Sequence, residues 1–276
     1  MFTLGVMTDE VSQDFAHALD VIKEFGVHTI ELGFMWDKNI CDLDSHELTQ
    51  VLRMVRQRGF AVCNIASLFL LHCPIDDPDA YNEHIKILER SIQIAPLFDC
   101  QLVRCFSFRR EDDLEAHWDT LLERLELPVR MAESAGVTLA FENVRMCNIG
   151  TGAETARLME TINSPNMRVI WDPGNAYHSG EARPYPDGYE LVKPWIIHVH
   201  VKDVELNTAG KLAWLPIGGG KVDYAGQFKA LADDGYDGVV TLETHYRPEN
   251  GTKEQGSRES FAGLQATLAE QGIVPD

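Results

Sequence analysis

The sequence predicts an α/β protein, a single (β/α)₈ barrel spanning residues 1–276 with its active site at the C-terminal ends of the strands. Three observations predict it. Short apolar runs alternate with amphipathic stretches from end to end, at a period of about 35 residues, the length of one strand–helix unit. The turn after the first strand, ThrAspGluValSerGlnAsp, lacks the glycines by which an open doubly wound sheet binds a dinucleotide. No linker or low-complexity stretch divides the 276 residues, and roughly 250 residues suffice for one barrel.

Each element has its own signal. Residues 3–7 read as the first strand and 15–25 as a helix stopped at Gly26. Residues 28–33 form the second strand. The helix over 45–58 has Asp44 or Ser45 as its N-cap and Gly59 as its stop. Strand three covers 60–66 and helix three 78–97. Strand four covers 101–106, and a long helix runs over 111–135 to Gly136 with an interruption at Pro128. Strands five to eight fall at 137–141, 167–171, 195–201 and 238–242, with helices at 152–162, 224–234 and 255–271. The proline- and glycine-rich stretch 179–186 is irregular, with a short helix near Tyr189.

Composition narrows the function. A net charge of −19 repels phosphate backbones and anionic membrane surfaces, which argues against nucleic-acid and membrane partners. No apolar run reaches the ~18 residues of a membrane span, and no basic segment followed by an apolar core opens the chain. Six cysteines are scattered without a CxxC pair, which fits reduced thiols in a cytoplasmic protein.

The second half carries the chemistry. Four strand-like runs end in ionisable residues: Glu142, Asp172, His200 and Glu243, at intervals of 30, 28 and 43 residues. On neighbouring parallel strands these side chains meet at one end of the barrel, where active sites of this fold lie. Buried carboxylates need compensation. A divalent cation supplies it for all of them at once; pairing with Arg104 or Lys202 is the simpler account for any one. His198, His200 and Lys202 share one strand face, and His200 lies nearer the rim, so it is the expected ligand, with His198 one layer lower. Glu31, His72, Arg104, Asn143, Arg145, Asn175, His198 and Lys202 fall at or near strand ends and are the expected substrate contacts. Trp36, Phe69, Phe108 and Trp214 are expected in loops as an apolar wall. The triple glycine after Ile217 reads as a mobile turn or a weak phosphate-cradling loop.

These residues carry a resemblance. PheGlu142Asn143, TrpAsp172ProGlyAsn, HisValHis200ValLysAsp203 and LeuGlu243, with IleGlu31LeuGly nearer the N-terminus, resemble the xylose-isomerase-like TIM-barrel superfamily. The closest group is its sugar phosphate isomerase and epimerase branch, which includes ketose 3-epimerases and inosose dehydratases. The resemblance implies one divalent ion, manganese or magnesium with cobalt or zinc as alternatives, held by Glu142, Asp172, His200 and Glu243. It implies that Glu142 and Glu243 are also the acid/base pair of a sugar isomerase or epimerase of carbohydrate metabolism, moving a proton on a ketose or related polyol through a cis-enediolate. Dimers and tetramers are frequent in the family. Three positions depart from its epimerases: Asn175 stands for a histidine, Asn148 for an acid and Leu206 for an arginine. These departures leave open a metal-dependent dehydratase of a keto-polyol such as an inosose, and a non-catalytic carbohydrate-binding protein on the same scaffold.

Overall fold

The computed structural model describes residues 1–206 and 211–276. Eight parallel strands close a barrel: β1 (Thr3–Met7), β2 (Thr29–Leu32), β3 (Ala61–Phe69), β4 (Leu102–Cys105), β5 (Thr138–Glu142), β6 (Met167–Trp171), β7 (Ile196–Val201) and β8 (Val239–Leu242). Each strand pairs with its sequence neighbours, and β8 pairs back to β1 through Thr3–Val239 to Val6–Leu242. Closure removes the two edges that an open sheet would expose.

Helices α1 (Phe15–Glu24), α2 (Ser45–Arg58), α3 (Pro78–Ile94), α4 (Leu114–Ala135), α5 (Gly152–Ile162), α6 (Pro173–His178), α7 (Tyr224–Asp233) and α8 (Lys253–Glu270) connect or follow the strands. Their starts are chemically defined. Asp44 accepts from the His46 and Glu47 amides while Glu47 returns to the Asp44 amide, a complete capping box; Thr151 with Glu154 and Thr252 with Gln255 repeat it.

The fold agrees with the expected class, and the boundaries that differ have physical causes. Strand β3 runs on to Phe69 because Phe69 keeps a partner: its carbonyl accepts from the Phe106 amide. Helix α4 starts at Leu114 because the Asp113 carboxylate takes the Ala116 amide, and it passes through Pro128 unbroken. The buried stripe Leu121, Leu125, Val129 and Ala132 holds it against the barrel and offsets the hydrogen bond the proline cannot make. Two antiparallel pairs, Phe34–Met35 with Lys38–Asn39 and Asp203–Leu206 with Leu212–Leu215, follow β2 and β7 and were not foreseen.

Candidate metal centre and active site

Each candidate ligand is placed by its own strand end. Glu142 is the last residue of β5, and Glu243 follows β8 directly. His200 lies on β7 opposite Thr241, with its side chain turned into the barrel. Asp172 is the N-cap of α6: its Oδ1 accepts from the Asn175 amide at 2.8 Å, leaving Oδ2 for the site. A side chain on Gly174 would collide with the Lys202 carbonyl, so this turn requires glycine to bring Asp172 against β7. Glu142, Asp172, His200 and Glu243 are all buried, and one ligand atom from each lies within 4.8 Å of the others.

Two cations share this floor. The Lys202 Nζ is 2.9 Å from Asp172 Oδ2, 3.7 Å from Glu142 Oε1 and paired with Glu243 Oε2. Arg104 Nη1 bridges the glutamates, 3.3 Å from Glu142 Oε2 and 3.5 Å from Glu243 Oε1. Neither cation completes the charge balance. With neutral histidines, the buried carboxylates around His200, namely Glu31, Glu142, Asp172 and Glu243, outnumber the buried cations Arg104 and Lys202 by two.

The orientation of His200 sharpens the point. Its Nε2 lies 3.0 Å from Glu31 Oε2, while its buried Nδ1 has no hydrogen-bond partner and faces Glu142 Oε1 at 3.4 Å and Glu243 Oε2 at 3.2 Å. With the proton on Nε2, the Nδ1 lone pair and the two carboxylates would be directed at one point, which a cation between them would reconcile. Three oxygens and one nitrogen suit Mn²⁺ or Mg²⁺, and Zn²⁺ or Co²⁺ accept such a set as well.

The electrostatics follow from burial and these charges. Burial alone would raise Glu142 and Glu243, but His200 with Arg104 lowers the first, and Lys202 with His200 lowers the second strongly. Burial pushes Asp172 up to about 6 against the pull of Lys202. Burial works to lower His200, yet Glu31, Glu142 and Glu243 together hold it well above the ordinary histidine range in the absence of a competing cation.

Above this floor opens a cavity of about 770 Å³. Arg104, Glu142, Asn175, Lys202 and Glu243 form its polar base, and Phe34, Leu71, Phe106, Met146, Leu212 and Trp214 form an apolar wall. Asp9 and His245 also line it.

Residues 19–267 match the family described as xylose isomerase-like TIM barrel. The chain belongs to that family. An inosose dehydratase of Clostridium perfringens is 26% identical over 151 residues, 49% of each protein, so the chain spans about half the length of the curated relatives it matches. The crystal structure of the IolI protein with a bound zinc atom superposes with a TM-score of 0.81 at 19% identity, covering 98% of this chain and 99% of that one. A D-tagatose 3-epimerase-like protein superposes at 0.77 with 18% identity and 98% coverage of both.

In this xylose isomerase-like barrel the four candidate ligands come together as expected, and the other expected site residues divide. Arg104, Asn175, Arg145 and Lys202 line the cavity. Asn175 reaches it while donating to Glu142 Oε1 at 3.0 Å, and Arg145 sits on the rim, donating to the His178 carbonyl. Glu31, expected to meet substrate, is instead fully buried below the cavity against His198, which meets no substrate-facing surface but takes the lower layer expected of it, and Asn64 donates to the other oxygen of Glu31. Asn143 is a backbone clamp: it donates to the Gly150 and Asp172 carbonyls and accepts from the Asp172 amide. His72 is exposed and lies outside the cavity lining.

The apolar wall also differs. Trp214 is part of it, whereas Trp36 packs on Phe15, and Phe69 and Phe108 are wholly buried in the core. The triple glycine is no phosphate cradle. The Gly218 and Gly220 amides donate to the Asp203 carboxylate at 2.9 Å.

Among the cavity residues outside the sequence-derived site, His245 and Asp9 stand out. His245 has a left-handed backbone with φ of 51°, held by the Glu10 carboxylate on its amide, and its Nε2 is 3.5 Å from Glu243 Oε1. Burial opposes its protonation, but Glu243 and Glu10 raise it overall. Asp9, raised to about 6 by burial, accepts from the Phe34 amide at 3.0 Å. Their sequence signal was only their place just beyond β8 and β1.

Proposed function

We propose that this protein is a divalent-metal-dependent enzyme that moves a proton next to the carbonyl of a polyhydroxylated ketone, as a sugar isomerase or epimerase. One observation carries the reading: Glu142 and Glu243 flank the unpartnered Nδ1 of His200 from two sides, at the floor of a cavity deep enough for a sugar. The cavity volume lies within the roughly 300–1,000 Å³ of small-molecule sites, and its apolar wall leaves room for a substituent on the sugar.

A divalent ion bound by Glu142, Asp172, His200 and Glu243 would polarise the substrate carbonyl and acidify the neighbouring C–H. Glu142, ionised and held by Asn175, takes that proton, and the C–H electrons move toward the carbonyl oxygen as a cis-enediolate. Arg104 and Lys202 sit beside the developing negative charge. Glu243 is also ionised at rest, so the return step needs a proton, and His245 at 3.5 Å is the donor at hand. Delivery to the opposite face of the carbon inverts it.

A second reading shares the first step. If the proton goes to a departing hydroxyl, the reaction is a dehydration, and the inosose dehydratases among the relatives favour it. A ketose panel that includes an inosose, incubated in deuterium oxide, separates the two: deuterium gain without loss of water supports the isomerase, and loss of water supports the lyase. Glu142→Gln and Glu243→Gln should each lower turnover by about 10²–10⁴-fold while sugar binding persists. Near-parental turnover in either variant removes the acid/base pair.

A further inference from the structure

Beneath the metal centre lies a second group of potential ligands, Glu31, His198 and His200, all fully buried, and it shares His200 with the group above. One carboxylate oxygen ties the two rings: Glu31 Oε2 is 3.1 Å from His198 Nε2 and 3.0 Å from His200 Nε2. Its other oxygen, Oε1, accepts from Asn64 Nδ2 at 2.7 Å. Glu31 follows Ile30 on β2 and pairs in register with Met7 of β1 and Asn64 of β3, so three strands fix its position.

The consequence concerns which nitrogen of His200 carries the proton. An ionised carboxylate only accepts, so a ring nitrogen bonded to it must be an N–H. In a neutral imidazole, Nε2–H leaves the lone pair on Nδ1. That is the atom facing Glu142 and Glu243 with no hydrogen-bond partner. We propose that Glu31 is a positioning residue that holds His200 in its Nε2–H tautomer and fixes the ring plane, so that Nδ1 is presented to the ion.

The inference rests on reading the upper group as a cation site, and it excludes the rival use of Glu31, His198 and His200 as a second one. Three facts favour the hydrogen-bonded arrangement. Both N···O separations are those of N–H···O bonds. Asn64 already occupies the second oxygen of Glu31. Glu31 and His198 are both fully buried below the floor, whereas Glu142 and Glu243 of the upper group reach the cavity.

The test is titration of the metal-free protein with Mn²⁺ by calorimetry, alongside ¹⁵N-histidine NMR of the Zn²⁺-loaded protein. The parent should bind one ion per chain, with His200 in the Nε2–H form. Glu31→Ala should weaken Mn²⁺ binding by about 10–100-fold. The near-isosteric Glu31→Gln, offered in case the alanine variant misfolds, should weaken it less and give mixed His200 tautomers. His198→Asn should keep one ion and an affinity within about threefold of the parent, since Glu31 still holds His200. Equal affinity and an unchanged tautomer in both Glu31 variants would overturn this inference alone. Two ions in the parent and one in His198→Asn would make Glu31 a ligand and overturn it too. No ion bound by the parent would remove the metal centre and this inference with it.

Discussion

His200 joins two layers of the barrel. One ring nitrogen is tied to Glu31 below and the other points to Glu142 and Glu243 above, so a single side chain couples the polar interior to the reaction floor. His245 tests the proton supply at the same scale. His245→Gln should slow net product formation by about 10–100-fold while leaving exchange of the substrate C–H with solvent nearly intact. NMR of substrate and product in deuterium oxide reads both, and equal loss of the two would assign His245 another role. Asp9 gives a pH prediction. Its pKa rises from 3.8 unfolded to about 6 folded, so the folded state favours the protonated form. The destabilisation is absent below 3.8, grows as pH rises, and is complete above 6. Asp9→Asn keeps the acceptor for the Phe34 amide and should stabilise the protein by on the order of 3 kcal/mol at pH 7.5 and by about half of that at pH 5, as urea unfolding measures. A pH-independent difference would contradict the assignment.

At the scale of elements, strand ends make the site and loops complete it. The convergence of the four candidate ligands was legible because β5 to β8 read as strands and inward residues at strand ends reach the C-terminal face. Glu31 was legible as a strand-end acid but not as a partner of His198. That contact joins residues 167 positions apart across the barrel interior, and no local pattern encodes it. Asn143 looked like a substrate contact for the same reason: periodicity places a residue at the rim but does not say that Asp172 and Gly150 will claim its amide. The triple glycine read as a mobile turn or a weak phosphate-cradling loop because no local pattern shows where its amides go, whereas Asp203 gathers the Gly218, Gly220, Val204 and Val222 amides into a fixed loop beside the Asp203–Leu206 and Leu212–Leu215 pair. A Cβ at Gly220 would fall on that carboxylate. Gly220→Ala should therefore cost about 1–3 kcal/mol in unfolding free energy and weaken sugar binding through Trp214, whereas a mobile loop would tolerate it with little change.

At the scale of the molecule, the barrel concentrates opposite tendencies. The chain carries a net charge of −19. At the mouth of the barrel, however, Arg104, Arg110, Arg145 and Lys202 line the cavity beside Asp9, Glu10, Glu142 and Glu243, so cations and carboxylates are matched there. Among the described residues, no helix is long and apolar enough to cross a membrane. The excess of two negative charges around a neutral His200 supports the proposed divalent ion, and the glutamates that would hold it are also the groups placed to move a proton. Measuring deuterium incorporation beside the carbonyl of an inosose and a ketose panel, with Mn²⁺-loaded and chelator-stripped protein in parallel, tests that union most directly. The account predicts exchange by the loaded protein and its loss on stripping, restored by added Mn²⁺. Exchange that survives complete removal of the metal, or no exchange on any of these ketones by the loaded protein, would contradict it.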